Sequence, residues 1–417
     1  MTRQMKNSGV RWIGDIPNGW DISKMQYIAD YYNGFAFKPS DWSETGLQII
    51  RIQDLTGSND NPNYYEGQLP DRYKVRKGDI LISWAATLNS FIWDREEAWL
   101  NQHIFKTKHH EEIVTREFFY WLTQVVMLNM NNANKHGIMM QHVTTNVFNK
   151  FSLPLPPLQE QKAIADFLDT KCAEIDGLLA DLDAEVKTLT EYKKSIIAET
   201  VTHGLNANAK MKQLALGWID EVPAHWRVDK FRYKLKPKKI VGQSDKEVLS
   251  VYREYGVIIK SSRDDNHNRT SDDTSTYKYV QPNDFVINKM KAWQGSMGVS
   301  DYEGIVSPAY FVYTFSDGDY IPRFFHYFMR NANNIPEYRR LSGGIREGQW
   351  DLSPYDLGNM PIIVPPKDEQ KKIVAFLDDK CSSIDRAIAD KQQQIDTLKA
   401  YKSSLIYEYV TGKKQVI

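Results

Sequence analysis

The chain has 417 residues, 41% hydrophobic and 25% charged, which is a globular composition with room for about two or three domains. No apolar run approaches the roughly 18 residues of a membrane span. The start, Met1–Trp12, lacks an apolar signal core, and two cysteines without zinc-like spacing fit a cytoplasmic chain that holds no metal. Lys+Arg and Asp+Glu balance at 53 each, but unevenly along the chain: residues 158–205 hold 5 against 10, while 206–366 hold 22 against 19. Neither globular stretch is acidic, so a local basic face stays open.

In chain order, the first landmark is Trp12-Ile13-Gly14-Asp15-Ile16-Pro17-Asn18-Gly19-Trp20, which returns as Trp218-Ile219-Asp220-Glu221-Val222-Pro223-Ala224-His225-Trp226. Next, Lys77-Gly78-Asp79-Ile80-Leu81-Ile82 reads as a turn running into a buried strand, and its counterpart is Pro282-Asn283-Asp284-Phe285-Val286-Ile287. Phe118-Phe119-Tyr120-Trp121-Leu122 predicts one packed helix face, repeated at Phe324-Phe325-His326-Tyr327-Phe328. Each copy closes with Pro-Pro-x-x-Glu-Gln-Lys (156–162 and 365–371), then Phe-Leu-Asp (167–169 and 376–378) and Tyr-Lys (192–193 and 401–402). The offset drifts only from 205 to 209, so one module has been duplicated.

The Pro-Pro pair ends each module, and a long helix follows. Leu168, Ile175, Leu182, Leu189 and Ile196 fall seven apart, with Cys172, Leu179 and Val186 four residues after the first three. The second copy places Leu377, Ile384, Leu398 and Leu405 on one seam position, and Cys381, Ile388 and Ile395 on the other. Lys391 takes the remaining site, and Lys193 and Lys402 end the second stripe. Residues 159–203 would span roughly 65 Å. The natural partner of each stripe is the other, and the intervening module favours antiparallel pairing; a coil serving only homodimerisation is the alternative. The expected fold is α+β: two globular α/β domains (1–157 and 206–366) and two long helices (158–205 and 367–417) packed as an antiparallel coiled coil, related as a pseudo-twofold repeat.

These residues resemble the specificity subunit of a type I restriction–modification system. The resemblance rests on the double-tryptophan opening, the Pro-Pro-x-x-Glu-Gln lead-in, the Phe-Leu-Asp-x-Lys run and the two-module plan. Gly34-Phe35-Ala36-Phe37-Lys38, Gly46 and Ile50-Arg51-Ile52-Gln53-Asp54-Leu55 resemble that family's first target-recognition domain, whereas Glu247-Val248-Leu249-Ser250-Val251 resembles a different subtype. The resemblance implies double-stranded DNA with a bipartite target as ligand, and two methyltransferase subunits plus restriction–translocase subunits as partners. S-adenosylmethionine, ATP and Mg would then belong to those partners, with no cofactor on this chain.

Catalytic motifs point nowhere else. Asn61-Pro62-Asn63-Tyr64 lacks the second proline of an adenine methyltransferase element and reads as a turn. Glu160-x-Lys162 and Glu369-x-Lys371 resemble nuclease pairs, but they open helices, where Glu suits the positive end. There is no phosphate-loop motif, and His109 and His110 read as surface residues without partners.

Base readers should be polar residues on loops. Lys135, His136, Gly137 and Gln141 stand before the last strand of the first copy, and Gly343, Gly344, Arg346 and Gln349 before that of the second, near Arg339. Lys289, Lys291 and Trp293 form a basic, aromatic segment, and Lys238 beside Lys236 and Lys239 suits phosphate. Ordinary polar turns and a solvated face are the competing readings. Rival functions are the recognition subunit of a related system cutting outside its site, a coiled-coil scaffold without DNA, and a stand-alone enzyme.

Overall fold

Four antiparallel strands in the same order form the floor of both modules. The computed structural model describes residues 3–59, 61–85, 87–135, 145–263, 270–316, 318–344 and 350–416, the side chains of 133–135 excepted. It divides the chain into two compact units, residues 1–182 with 394–417, and residues 183–393. In the first unit the strand order is Ala29–Asn33, Ile104–His109, Ile80–Ser83, Asn89–Ile92. In the second it is Leu235–Pro237, Tyr310–Phe315, Phe285–Asn288, Met297–Val299.

The expected turn-into-strand segments supply the third strand of each sheet. All four residues of Ile80–Ser83 are buried, as are Phe285, Val286 and Ile287. The turn ahead of each needs a positive φ, met by Gly78 (94°) in one copy and Asn283 (73°) in the other. The aspartate that follows closes the turn: Asp79 accepts from the Arg76 amide at 2.9 Å and Asp284 from the Gln281 amide at 2.7 Å.

Beside this floor the modules diverge. The first unit has a second four-stranded sheet, Asn63–Tyr65, Leu47–Ile50, Ala98–Leu100, Lys74–Val75, with a parallel pair at its centre. In the second unit the same strands are a hairpin, Leu249–Tyr252 with Gly256–Ile259, and a separate pair, Lys278–Val280 with Gly304–Val306. A single parallel bridge, Val248 to Ile305, keeps the old connection. The predicted helix faces pack as expected: Phe118, Phe119, Trp121 and Leu122 are buried on Arg116–Lys135, and Phe324, Phe325, Tyr327 and Phe328 on Pro322–Met329.

The long helices run Leu158–His203 and Lys367–Val410, and both cross the boundary between the units. Within the first unit, Leu168, Cys172 and Ile175 share a core with Leu405 and Val410, the Phe167 and Tyr409 rings pack tilted with centroids 4.4 Å apart, and Lys402 pairs with Asp176. Within the second, Leu377 and Cys381 share a core with Val201, and Ile384 is buried. There Lys193 pairs with Asp385 and Lys391 with Glu185. In each unit the partner numbers fall as the helix numbers rise, so the helices are antiparallel. Each stripe is covered by its own chain, which removes the reading of a coil serving only homodimerisation. Leu182 and Leu398 in the first unit and Leu189 and Ile196 in the second are half-buried.

The duplicated motifs are the joints between module and helix. Trp20 Nε1 donates to Glu160 Oε2 at 2.9 Å, and Trp226 Nε1 to Glu369 Oε2 at 2.8 Å. Gln161, fully buried, accepts from the Thr115 amide at 2.8 Å and donates to the Ile113 and Pro156 carbonyls. Gln370 does the same with the Ile321 amide and the Asp319 and Pro365 carbonyls. The Phe-Leu-Asp carboxylates complete the set: Asp169 accepts from Trp121 Nε1 at 2.8 Å, and Asp378 from the Tyr327 hydroxyl at 2.6 Å. Glu160 and Glu369 are therefore engaged by indoles, Glu160 also by Arg3 at 2.6 Å and Glu369 also by His225 at 2.6 Å.

Candidate nucleic-acid interface

Two sequence-distant segments of the second module converge on one surface. After strand Phe285–Asn288 the chain makes a short turn, Ala292–Gln294, and Lys289 Nζ reaches Asp351 at 3.2 Å. The Leu352 amide donates to the Lys289 carbonyl at 3.1 Å. Trp293 meets Trp350 edge to face at 5.6 Å, and the Arg339 guanidinium lies over the Trp293 ring at 5.4 Å. The indole is anchored through its own N–H to the Met290 carbonyl, while Lys291 is exposed. A guanidinium beside an aromatic face is a combination that suits bases and phosphate.

The remaining sites fall differently. Gly343 pairs with Asp351 in a two-residue strand, and Gly344 is exposed. No atom lies within 4 Å of where a Cβ at Gly343 would stand, so packing does not demand the glycine. Arg346 and Gln349 lie outside the described residues, as do His136, Gly137 and Gln141. Lys135 is the last residue of helix Arg116–Lys135.

Lys238 is a correction. Its ammonium donates to Asp284 at 2.6 Å and to Gln281 at 2.8 Å, and the Lys238 and Asp284 side chains are 10% and 5% exposed. A charge neutralised inside the module has little left for phosphate. Its neighbours Lys236 and Lys239 are exposed and keep that possibility. The two histidines also differ from the expectation of partnerless surface residues. His109 ends a sheet strand and stacks on Phe119 at 6.0 Å, and burial lowers its pKa. His110 Nδ1 lies 3.1 Å from the Tyr27 carbonyl, with Asp30 at 3.6 Å from the other ring nitrogen.

Sequence reading passed over Arg330. Its guanidinium donates to four backbone carbonyls, those of Met297, Tyr252, Arg253 and Glu254, at 2.7 to 3.4 Å. Burial lowers its pKa to about 10. It fastens the hairpin tip from behind, beside the Trp293 surface. Only a run such as Tyr252-Arg253-Glu254-Tyr255-Gly256 between two apolar stretches could have flagged the tip. Among the described residues no cluster of His, Cys, Asp or Glu is arranged to hold a metal, and no helix is long and apolar enough to cross a membrane.

Comparison with known proteins adds four findings. The family model described as the type I restriction modification DNA specificity domain matches residues 17–188 and 242–399. The chain is 32% identical over 211 residues to the type I restriction enzyme EcoBI specificity subunit of Escherichia coli, a match covering 50% of this chain and 44% of that protein. It is 22% identical over 432 residues to the putative type I restriction enzyme MjaX specificity subunit of Methanocaldococcus jannaschii, covering 97% and 96% of the two. Among solved structures, a chain from work on complex assembly and conformational transition of the type I R-M system superposes with a TM-score of 0.67 at 15% identity. That superposition covers 96% of this chain and 99% of the other, a likeness of fold.

Proposed function

This chain belongs to the type I restriction–modification DNA specificity family, and on that premise we propose that it selects the DNA site for a restriction–modification complex. Each module binds one half of a bipartite double-stranded target, and the antiparallel helices set the spacer between halves. Methylation and cleavage are left to methyltransferase and restriction–translocase subunits, which carry S-adenosylmethionine, ATP and Mg. The observation that carries this reading is the contrast within the repeat. Strand order, joints and seam are held in common, while the surface loops differ in length and residues. One frame with two dissimilar faces suits two versions of one ligand type.

A shared partner should leave the opposite mark, equivalent surfaces that stay alike, and such surfaces exist. Ile22 and Tyr27 are 37% and 55% exposed, and their repeat mates Val228 and Tyr233 are 40% and 56% exposed. Tyr192 and Tyr401 on the helices match at 53% and 52%. Exposed apolar side chains kept in both copies support two like docking positions, one for each of two methyltransferase subunits.

The test is retention of labelled duplex by the full chain purified with its methyltransferase partner. Sequence-specific retention that drops when either half-site is scrambled is expected. Equal retention of all duplexes would favour the scaffold reading and sink this one.

A further inference from the structure

The hairpin of the second module is built more firmly than its own strands require. Leu249, Val251 and Val257 root it in a buried cluster with Val280, Val286 and Val306. Arg330 then fixes the carbonyls of Tyr252, Arg253 and Glu254, as described above. Gly256 lies at φ +75°, and a Cβ there would come within 3.2 Å of the His326 ring, so the chain turns flush against that ring. The side chains beyond this anchored backbone face solvent: Arg253 and Glu254 are 63% and 56% exposed, and Tyr255 is 55% exposed. Arg253 and Glu254 pair with each other at 2.9 Å, an exposed contact readily exchanged for others. The Arg263 guanidinium lies over Tyr255 at 4.7 Å and Tyr252 at 5.7 Å. Arg253, Glu254 and Tyr255 line the same groove as Trp293, Gln294 and Arg339, a space of about 1410 Å³.

The first module places a different structure at the same point of its frame. There the connection from Leu47–Ile50 to Asn63–Tyr65 runs through residues 51–62, whereas in the second module Arg253–Tyr255 alone make the turn. Arg51 lies over Trp42 at 5.4 Å, so a guanidinium on an aromatic ring recurs while length and residues change. A rigid scaffold carrying a variable, cationic and aromatic tip is the pattern of a reading element. A two-stranded ribbon fits the major groove, where Arg offers two donors to guanine and Glu accepts from cytosine.

We propose that the tip Arg253-Glu254-Tyr255, with Arg263 stacked on it, reads base edges in the half-site of the second module, with Arg330 as its positioning residue. The proposal rests on the DNA-binding reading above. It requires at least one G·C pair at the contacted position.

The experiment selects from a pool of randomised duplexes with the full chain assembled with its methyltransferase partner, and sequences the retained DNA. The unaltered chain should return a two-part motif. Arg253→Ala and Tyr255→Ala should lose preference by about 10- to 100-fold at one or two adjacent pairs of one half, with the other half and the thermal midpoint unchanged. Arg330→Met should blur the same positions without altering the salt dependence of binding. Variants that return the original motif at full strength would overturn the proposal alone. No motif from the unaltered chain would overturn the DNA reading and the proposal with it.

Discussion

Lys193 on the first long helix donates to both carboxylate oxygens of Asp385 on the second, at 2.7 and 2.6 Å. The repeat supplies the same contact once more, Lys402 to Asp176 at 2.6 and 2.7 Å. Both lysines sit at seam positions that would otherwise hold an apolar residue, and both reach the facing helix. A polar seam residue gives up some stability and penalises slipped registers, because any slip separates the charges. Double-mutant cycles with Lys193→Ala and Asp385→Ala should return a coupling of about 0.5 kcal/mol, within the range of partly exposed pairs. The Lys402/Asp176 cycle should agree with it. Urea unfolding measures both, and coupling near zero in each would deny the pairs a role in register.

The buried glutamine of each joint should matter more than the glutamate beside it. Gln161→Ala strands the Thr115 amide and the Ile113 and Pro156 carbonyls, and should destabilise the first unit by about 2–4 kcal/mol. Glu160→Ala removes a half-exposed partner of Trp20 and Arg3 and should cost about 1–2 kcal/mol. Denaturant midpoints of the two variants check the order.

Lys238 and its neighbours should separate stability from binding. Lys238→Ala leaves Asp284 charged and enclosed, so a loss of about 3–5 kcal/mol is expected. Exposed Lys236 and Lys239 should instead each lower the slope of log affinity against log salt by about 1 on replacement by Ala, with stability unaltered. Salt titrations of duplex binding alongside thermal melts distinguish the two outcomes.

His326 makes the second module sensitive to acid. Burial first, then the nearby Arg330 and Arg323, push its pKa down to about 3, and its Nδ1 accepts from the Val299 amide at 3.2 Å. The unfolded chain binds this proton near pH 6.5 and the folded one only near 3, so the unfolded state holds more protons in between. The stabilisation is therefore complete above about pH 6.5 and is lost as pH falls toward 3. Between pH 6.5 and 5 the loss should be about 1–2 kcal/mol. His326→Gln should flatten that part of the profile in urea titrations, and an unchanged profile would contradict the assignment.

The repeat, the seam and the module plan were readable because they are periodic or duplicated. Leu168 to Ile196 repeats every seven residues, and Trp20, Glu160 and Gln161 recur as Trp226, Glu369 and Gln370, so the two halves act as an alignment of the chain with itself. Periodicity is a local property, and it survives without coordinates. What those motif residues do was not readable, since Trp20 and Glu160 lie 140 positions apart and meet only when the module folds onto its helix. The status of Lys238 was decided the same way: as a sequence neighbour of Lys236 and Lys239 it looks like part of a basic face, and only the sheet brings Asp284 under it. The convergence of Lys289–Trp293 with Arg339 and Trp350, and the anchoring of the Arg253 tip by Arg330, belong to tertiary structure alone. Loops carry no period, so side chains far apart in sequence meet there only through the fold.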